Sequence, residues 1–213
     1  SNVSCIVDAS LQYDPSGAAG NPGDHVVSIL NKTYTVVVPN VPITYGITKS
    51  GVVNLSEGTI TWTSTVSAAR GAATASLENA AFRDDLTNVG TYVAGSLSIG
   101  GQAATPEYAA NVLKYTFPQG SVSPQVVTFK TKISDAKYYV NSAQSITNKA
   151  QVYSPTNAFE KEASTSVSFT PSWIAKSSVA SDTAGGSSSY ISNNRSVVWS
   201  IVANQMDKTL RNA

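Results

Sequence analysis

Between Thr59 and Val66 apolar and hydroxyl side chains alternate, with Ile60, Trp62, Ser64 and Val66 on one side and Thr61, Thr63 and Thr65 on the other. A period of two predicts a half-buried strand. Ile43 to Gly51 predicts its partner, and the polar bridge between them supplies a turn. The same pattern returns later. Ile174-Ala175-Lys176-Ser177 is followed by a polar bridge and then by Ser196 to Val202, with Trp199 at the place of Trp62. Recurrence at domain-scale spacing predicts tandem repeats.

Further strands are expected at Val3–Val7, Thr33–Val38, Thr91–Ile99, Val112–Phe117, Val126–Ile133 and Ile146–Tyr153. Loops are expected at Asp14–Asp24 and Ala68–Ala75, where Gly, Pro and small residues cluster. Gln102–Ala110 has room for one helical turn, and no segment sustains a 3.6-residue period. Short strands spaced by turns predict an all-β chain, an antiparallel β-sandwich. The divisions follow from the repeat: 1–42 as the C-terminal part of a preceding β repeat, 43–170 as a complete sandwich, 171–213 as the N-terminal part of a following repeat. Strand alternation names a core for the complete unit: Ile60, Trp62, Val66, Phe82, Leu86, Tyr92, Leu97, Phe129 and Ile133. Trp62 and Trp199 are both read as core residues between sheets.

Composition narrows the function classes. Only 13% of the 213 residues are charged, about half the usual share, while 41% are hydrophobic, which is ample for a core. A net charge of +1 gives no reason to expect a nucleic-acid partner. No apolar run reaches the length of a membrane span, so membrane insertion is not expected. The single cysteine, Cys5, cannot form an internal disulfide; it reads as a small buried hydrophobe, with a reactive or intermolecularly paired thiol as the alternative. With one His and one Cys in the chain, a zinc site of the usual ligand types is excluded, and no cofactor is expected. No Gly-x-Ser-x-Gly, His-Glu-x-x-His or phosphate-loop pattern occurs, and His25 in a Gly/Pro loop is a poor general base, so an enzyme is not expected.

Five pieces then stand in a recognisable order: Lys49-Ser50-Gly51, the Thr59–Thr63 strand, Asn79-Ala80 with Phe82-Arg83-Asp84-Asp85-Leu86, Tyr92 to Ser96, and Thr128–Ile133 with Thr147-Asn148-Lys149-Ala150. Together they resemble the immunoglobulin-like repeat domains of Gram-positive surface adhesins and pilins, of the collagen-adhesin type. The resemblance covers 43–153 and parts of both flanks. It implies an immunoglobulin-like sandwich stapled by an intramolecular isopeptide bond between a Lys on the first strand and an Asn on the last, assisted by an acid on a middle strand. Carried onto this sequence, Lys49 is the amine, Asn148 the acyl donor and Asp84 the acid. Alternation from Phe82 places Asp84 on the buried side and Asp85 outside. Lys149 and Asn141 are rival choices of lower rank. Asn31 and Lys176 are the corresponding residues of the flanks, and form a possible inter-repeat cross-link.

The resemblance implies an extracellular, cell-surface or cell-wall location. Its first functional expectation is a structural stalk or fibre module whose partners are neighbouring repeats or copies of the same protein. The alternative is a ligand-binding adhesin domain recognising a host matrix protein or glycan, which the ten tyrosines, Tyr138-Tyr139 among them, permit.

Overall fold

The computed structural model describes residues 23–29, 32–38, 41–179, 190–191 and 196–203. The expected strand at Val3–Val7, together with Cys5 and Asn31, lies outside them. Two strands precede the central unit, β1 (Gly23–Ile29) and β2 (Lys32–Val38), paired as an isolated antiparallel hairpin. Thr33–Val38 is thus extended, while β1 begins inside the stretch expected to be a loop.

The central unit is an immunoglobulin-like antiparallel β-sandwich. One sheet is built on β3 (Ile43–Asn54), β4 (Thr59–Arg70) and β12 (Gln125–Lys132). It is extended by the short strands β5 (Ala73–Thr74), β7 (Thr91–Tyr92), β8 (Ser98–Ile99) and β9 (Gln102–Ala103). The other sheet runs in the order β10 (Glu107–Ala109), β11 (Val112–Thr116), β6 (Ala81–Asp85), β13 (Gln144–Tyr153) and β14 (Phe159–Phe169). The β3–β4 hairpin is the longest continuous ladder, from Ile43 opposite Arg70 to Asn54 opposite Thr59. β-branched and hydroxyl residues dominate these strands, as a pleated, half-buried surface favours.

The core lies between the sheets. Eight of the nine expected core residues are buried, and Tyr92 is half-buried. Trp62 and Phe129 are cross-strand neighbours, and Phe82 meets Phe129 edge-on from the opposite sheet. Trp62 keeps its indole satisfied by donating from Nε1 to Thr131 Oγ1 at 3.0 Å. Gly51 stands opposite Trp62, and a Cβ there would sit 2.5 Å from the indole. A side chain at 51 has no space, so glycine is what lets the ring approach β3 this closely.

Several local expectations are corrected. Thr91–Ile99 is two short strands with a turn between them, because Gly95 adopts φ +76° and ends the alternation. Gln102–Ala110 holds strand segments, and the one helical turn among the described residues is α1 (Asp135–Tyr138). Ala68–Ala75 is largely paired: β4 continues to Arg70 and turns at Gly71 into β5. β14 carries little strand signal in its first half, where Phe159 to Glu162 are all exposed and do not alternate.

Past β14 the chain forms a separate three-stranded sheet: β15 (Ile174–Val179), β17 (Ser196–Ala203) and β16 (Tyr190–Ile191). Trp199 belongs to it and is 55% exposed, contrary to its assignment as a core residue. The reason is architectural. No described strand packs across this sheet, so Ile174, Trp199 and Ile201 all remain at the surface.

Candidate functional site

The site forms where the two sheets of the sandwich face each other beside β3. Lys49 comes from β3, the edge of one sheet; Asp84 and Asn148 come from β6 and β13, adjacent in the other. Inward direction is a matter of strand parity. On β6, Phe82 and Asp84 are buried while Asp85 is exposed; on β13, Ile146, Asn148, Ala150 and Val152 form the buried row. Asp84 is registered opposite Ala150, and Asn148 is the next inward residue on that strand.

Small residues make the room. Ala150 faces Asp84, Ser64 faces Lys49, and Gly51 is the next inward position after Lys49. Into that space Lys49 extends its chain and donates from Nζ to Asp84 Oδ2 at 2.5 Å, with both side chains wholly shielded from solvent. The ammonium also lies 5.4 Å from the ring centres of Trp62 and Phe129. Those faces give it cation–π contact without water.

Burial dominates the electrostatics. Desolvation lowers the Lys49 pKa, and the attraction of Asp84 only partly offsets it. Desolvation raises Asp84 from 3.8 to about 6, against the stabilising effects of the Lys49 charge and hydrogen bond and, more weakly, of Asn148. Both shifts move a proton the same way, from amine to carboxylate. Asn148 is 1% exposed and lies near enough to favour the Asp84 anion, yet neither atom of its amide makes a hydrogen bond of ordinary geometry among the described residues. Asp84 Oδ1 is likewise unpaired. Unsatisfied buried polar atoms are uncommon in folded proteins. Here three of them gather around one ion pair.

The remaining candidates lie elsewhere. Lys149 points outward and pairs with Glu162 at 3.3 Å on the exposed face. Asn141 accepts the Trp173 backbone N–H through Oδ1 at 2.8 Å. Asn148 is on the penultimate strand of the sandwich, since β14 follows and pairs with it. Lys176 is exposed, its Nζ 4.3 Å from the ring centre of Trp199. Its surroundings nonetheless copy the pairing around Lys49. The residue two beyond Lys49, Gly51, is registered opposite Trp62, and the residue two beyond Lys176, Ser178, is registered opposite Trp199. No acid pairs with Lys176 among the described residues.

Sequence reasoning named no function for Ser64. It is 1% exposed, faces Lys49 across the ladder, and its hydroxyl has no hydrogen-bond partner among the described residues. The signal was available: Ser64 is a hydroxyl residue on the apolar side of the Thr59–Val66 alternation.

No protein-family model matches the chain, and no curated protein matches it. Among solved structures it is similar to the collagen adhesin of S. aureus, at 12% identity over 65% of this chain and 55% of that one, with a TM-score of 0.36. It is also similar to the full-length major pilin SpaD of Corynebacterium diphtheriae, at 16% identity over 62% of this chain and 36% of that one, TM-score 0.35. The N-terminal domain of the Streptococcus gordonii adhesin Sgo0707 is similar at 12% identity over 63% of this chain and 35% of that one, TM-score 0.35. The chain spans about half the length of the first of these structures and about a third of the other two.

Proposed function

We propose that this chain is a structural stalk or fibre module of a bacterial cell-surface adhesin or pilus-like filament, and that it staples itself through an amide between Lys49 and Asn148. The observation that carries the reading is the wholly buried Lys49–Asp84 pair with the unbonded Asn148 amide beside it. A buried ion pair is a poor source of stability, because desolvation offsets most of its attraction. The same arrangement is well suited to a reaction.

In that reaction a proton passes from Lys49 Nζ to Asp84, leaving a neutral amine and a carboxylic acid. The Asp84 O–H then hydrogen-bonds to Asn148 Oδ1 and polarises the amide carbon. The Nζ lone pair attacks Cγ, the surplus Nζ proton is relayed through Asp84 to Nδ2, and the Cγ–Nδ2 bond breaks. Ammonia leaves, and Nζ–Cγ remains as a new amide. Folding supplies the proximity. The bond forms once per chain, so this is maturation and not turnover.

The Lys176 and Trp199 pairing supports a tandem arrangement, with Lys176 as the corresponding amine of an adjoining repeat; its suggested counterpart, Asn31, lies outside the described residues. Neighbouring repeats or other copies of the chain are the partners this reading calls for. The test is intact-mass measurement of the purified chain. A mass one ammonia below that of the sequence, restored to the full value in Lys49→Ala, is the expected result. An unmodified chain carrying the full sequence mass refutes the staple.

A further inference from the structure

We propose that Ser64 is a positioning residue for the cross-link: its hydroxyl accepts an N–H from Lys49 Nζ once the amine has given its proton to Asp84, and so aims the lone pair at Asn148. The inference rests on the cross-linking reading and adds a residue to it.

The inward row of β4 is Ile60, Trp62, Ser64, Val66 and Ala68, all buried, and Ser64 is its one polar member. It is flanked by Lys49 on β3 and Val127 on β12. Its hydroxyl therefore has a polar side chain on one side and a hydrocarbon on the other. Among the described residues the hydroxyl has no partner while Lys49 donates to Asp84. If space were all that the Lys49 chain required, alanine would provide it without burying an unpaired hydroxyl, which is unfavourable to the fold. A hydroxyl left unsatisfied in one state of a site, and registered opposite the residue whose amine changes partner, has an evident partner in the next state.

The chemistry asks for such a partner. An ammonium held by Asp84 points a proton at the carboxylate and has no lone pair. After proton transfer the amine has two N–H bonds and one lone pair, and the faces of Trp62 and Phe129 orient neither strongly. One N–H directed to Ser64 Oγ fixes rotation about Cε–Nζ, leaving the lone pair to face the opposite sheet, where Asn148 lies. No covalent change occurs at Ser64, and the proton count of the reaction is unaltered.

The experiment follows ammonia loss by mass after cell-free synthesis of the full chain, for the parent, Ser64→Ala and Ser64→Thr. Thermal midpoints are measured in parallel in an Asn148→Ala background, where the bond does not form and Lys49 stays paired with Asp84. The expected result is that Ser64→Ala slows bond formation by at least about tenfold, while Ser64→Thr, which keeps the hydroxyl, retains most of the parent rate. In the Asn148→Ala background Ser64→Ala melts no lower than its control. A Ser64→Ala chain that reacts at the parent rate overturns the proposal, and so does a Ser64→Thr chain as slow as Ser64→Ala. A lowered midpoint for Ser64→Ala without the bond also overturns it, since the hydroxyl then serves the fold. If the parent itself loses no ammonia, the cross-link reading fails; if the parent reacts and the variants keep pace, only the role of Ser64 does.

Discussion

Lys49 Nζ and Asp84 Oδ2 meet at 2.5 Å across the two sheets of the sandwich, thirty-five residues apart in sequence and with no side-chain surface left to water. The contact spans the core, so the strands cannot slide or separate without exposing or stranding a charge.

Replacing Asn148 by Ala removes the acyl donor while leaving Lys49 and Asp84 paired. The protein is expected to fold with the full sequence mass. Its stability should fall by about 4–5 kcal/mol, the chain-entropy value for a cross-link closing a loop of about 100 residues. Denaturant titration of the parent and variant measures the difference. Equal midpoints would show that the two residues are not joined.

The pH dependence of that unbonded variant has a definite sign. Asp84 titrates at about 6 in the folded protein, above its ordinary 3.8. Between those values the folded state holds a proton that the unfolded chain has lost. The contribution of this carboxyl to stability is therefore fullest below 3.8, declines as pH rises, and is level above about 6. Asn148→Ala should show this falling component, and Asn148→Ala combined with Asp84→Asn should lack it. Identical pH profiles for the two would count against the shift.

Gly51→Ala tests the packing that frames the site. The added Cβ would lie 2.5 and 2.7 Å from Trp62 ring atoms and 2.7 Å from Val167. Overpacking of this kind costs about 1–3 kcal/mol. The variant should melt lower and bond more slowly, as the displaced indole shifts Lys49; an unchanged melting temperature would contradict the geometry.

Trp62→Phe keeps an aromatic ring but leaves Thr131 Oγ1 without its indole donor. A loss of about 1–3 kcal/mol is expected from the unpaired buried hydroxyl and the reduced ring. Thermal unfolding of the two proteins side by side measures it.

What could be read from the sequence was whatever strand parity determines. Period-two alternation placed Ile60, Trp62 and Val66 inside, and parity from Phe82 separated buried Asp84 from exposed Asp85. Parity says which side a residue faces and not what lies opposite. Trp199 shows the limit: it has the same local pattern as Trp62, but burial depends on a second sheet that local pattern does not encode. β14 is hidden from the pattern for a related reason. Phe159 to Glu162 are exposed and three of the four are charged, so its pairing to β13 rests on backbone hydrogen bonds and not on apolar spacing. Ser64 was visible in the pattern but acquired meaning only when the ladder set it opposite Lys49.

Between β14 and β15 the chain has four residues, Thr170 to Trp173, and the last of them is fastened. The Trp173 backbone N–H reaches Asn141, its indole Nε1 donates to the Tyr138 carbonyl at 2.6 Å, and its ring stacks on Tyr139 at 4.9 Å. Tyr138 in turn donates its hydroxyl to the Leu55 carbonyl, at the turn between β3 and β4. A protease needs several residues of free, extended backbone to fill its cleft. A connector this short, held by strand pairing on both sides and by an indole in between, has no such length to give. Cleavage there would require part of β14 or the Tyr138–Trp173 cluster to open first, so the connector resists digestion for as long as those contacts hold.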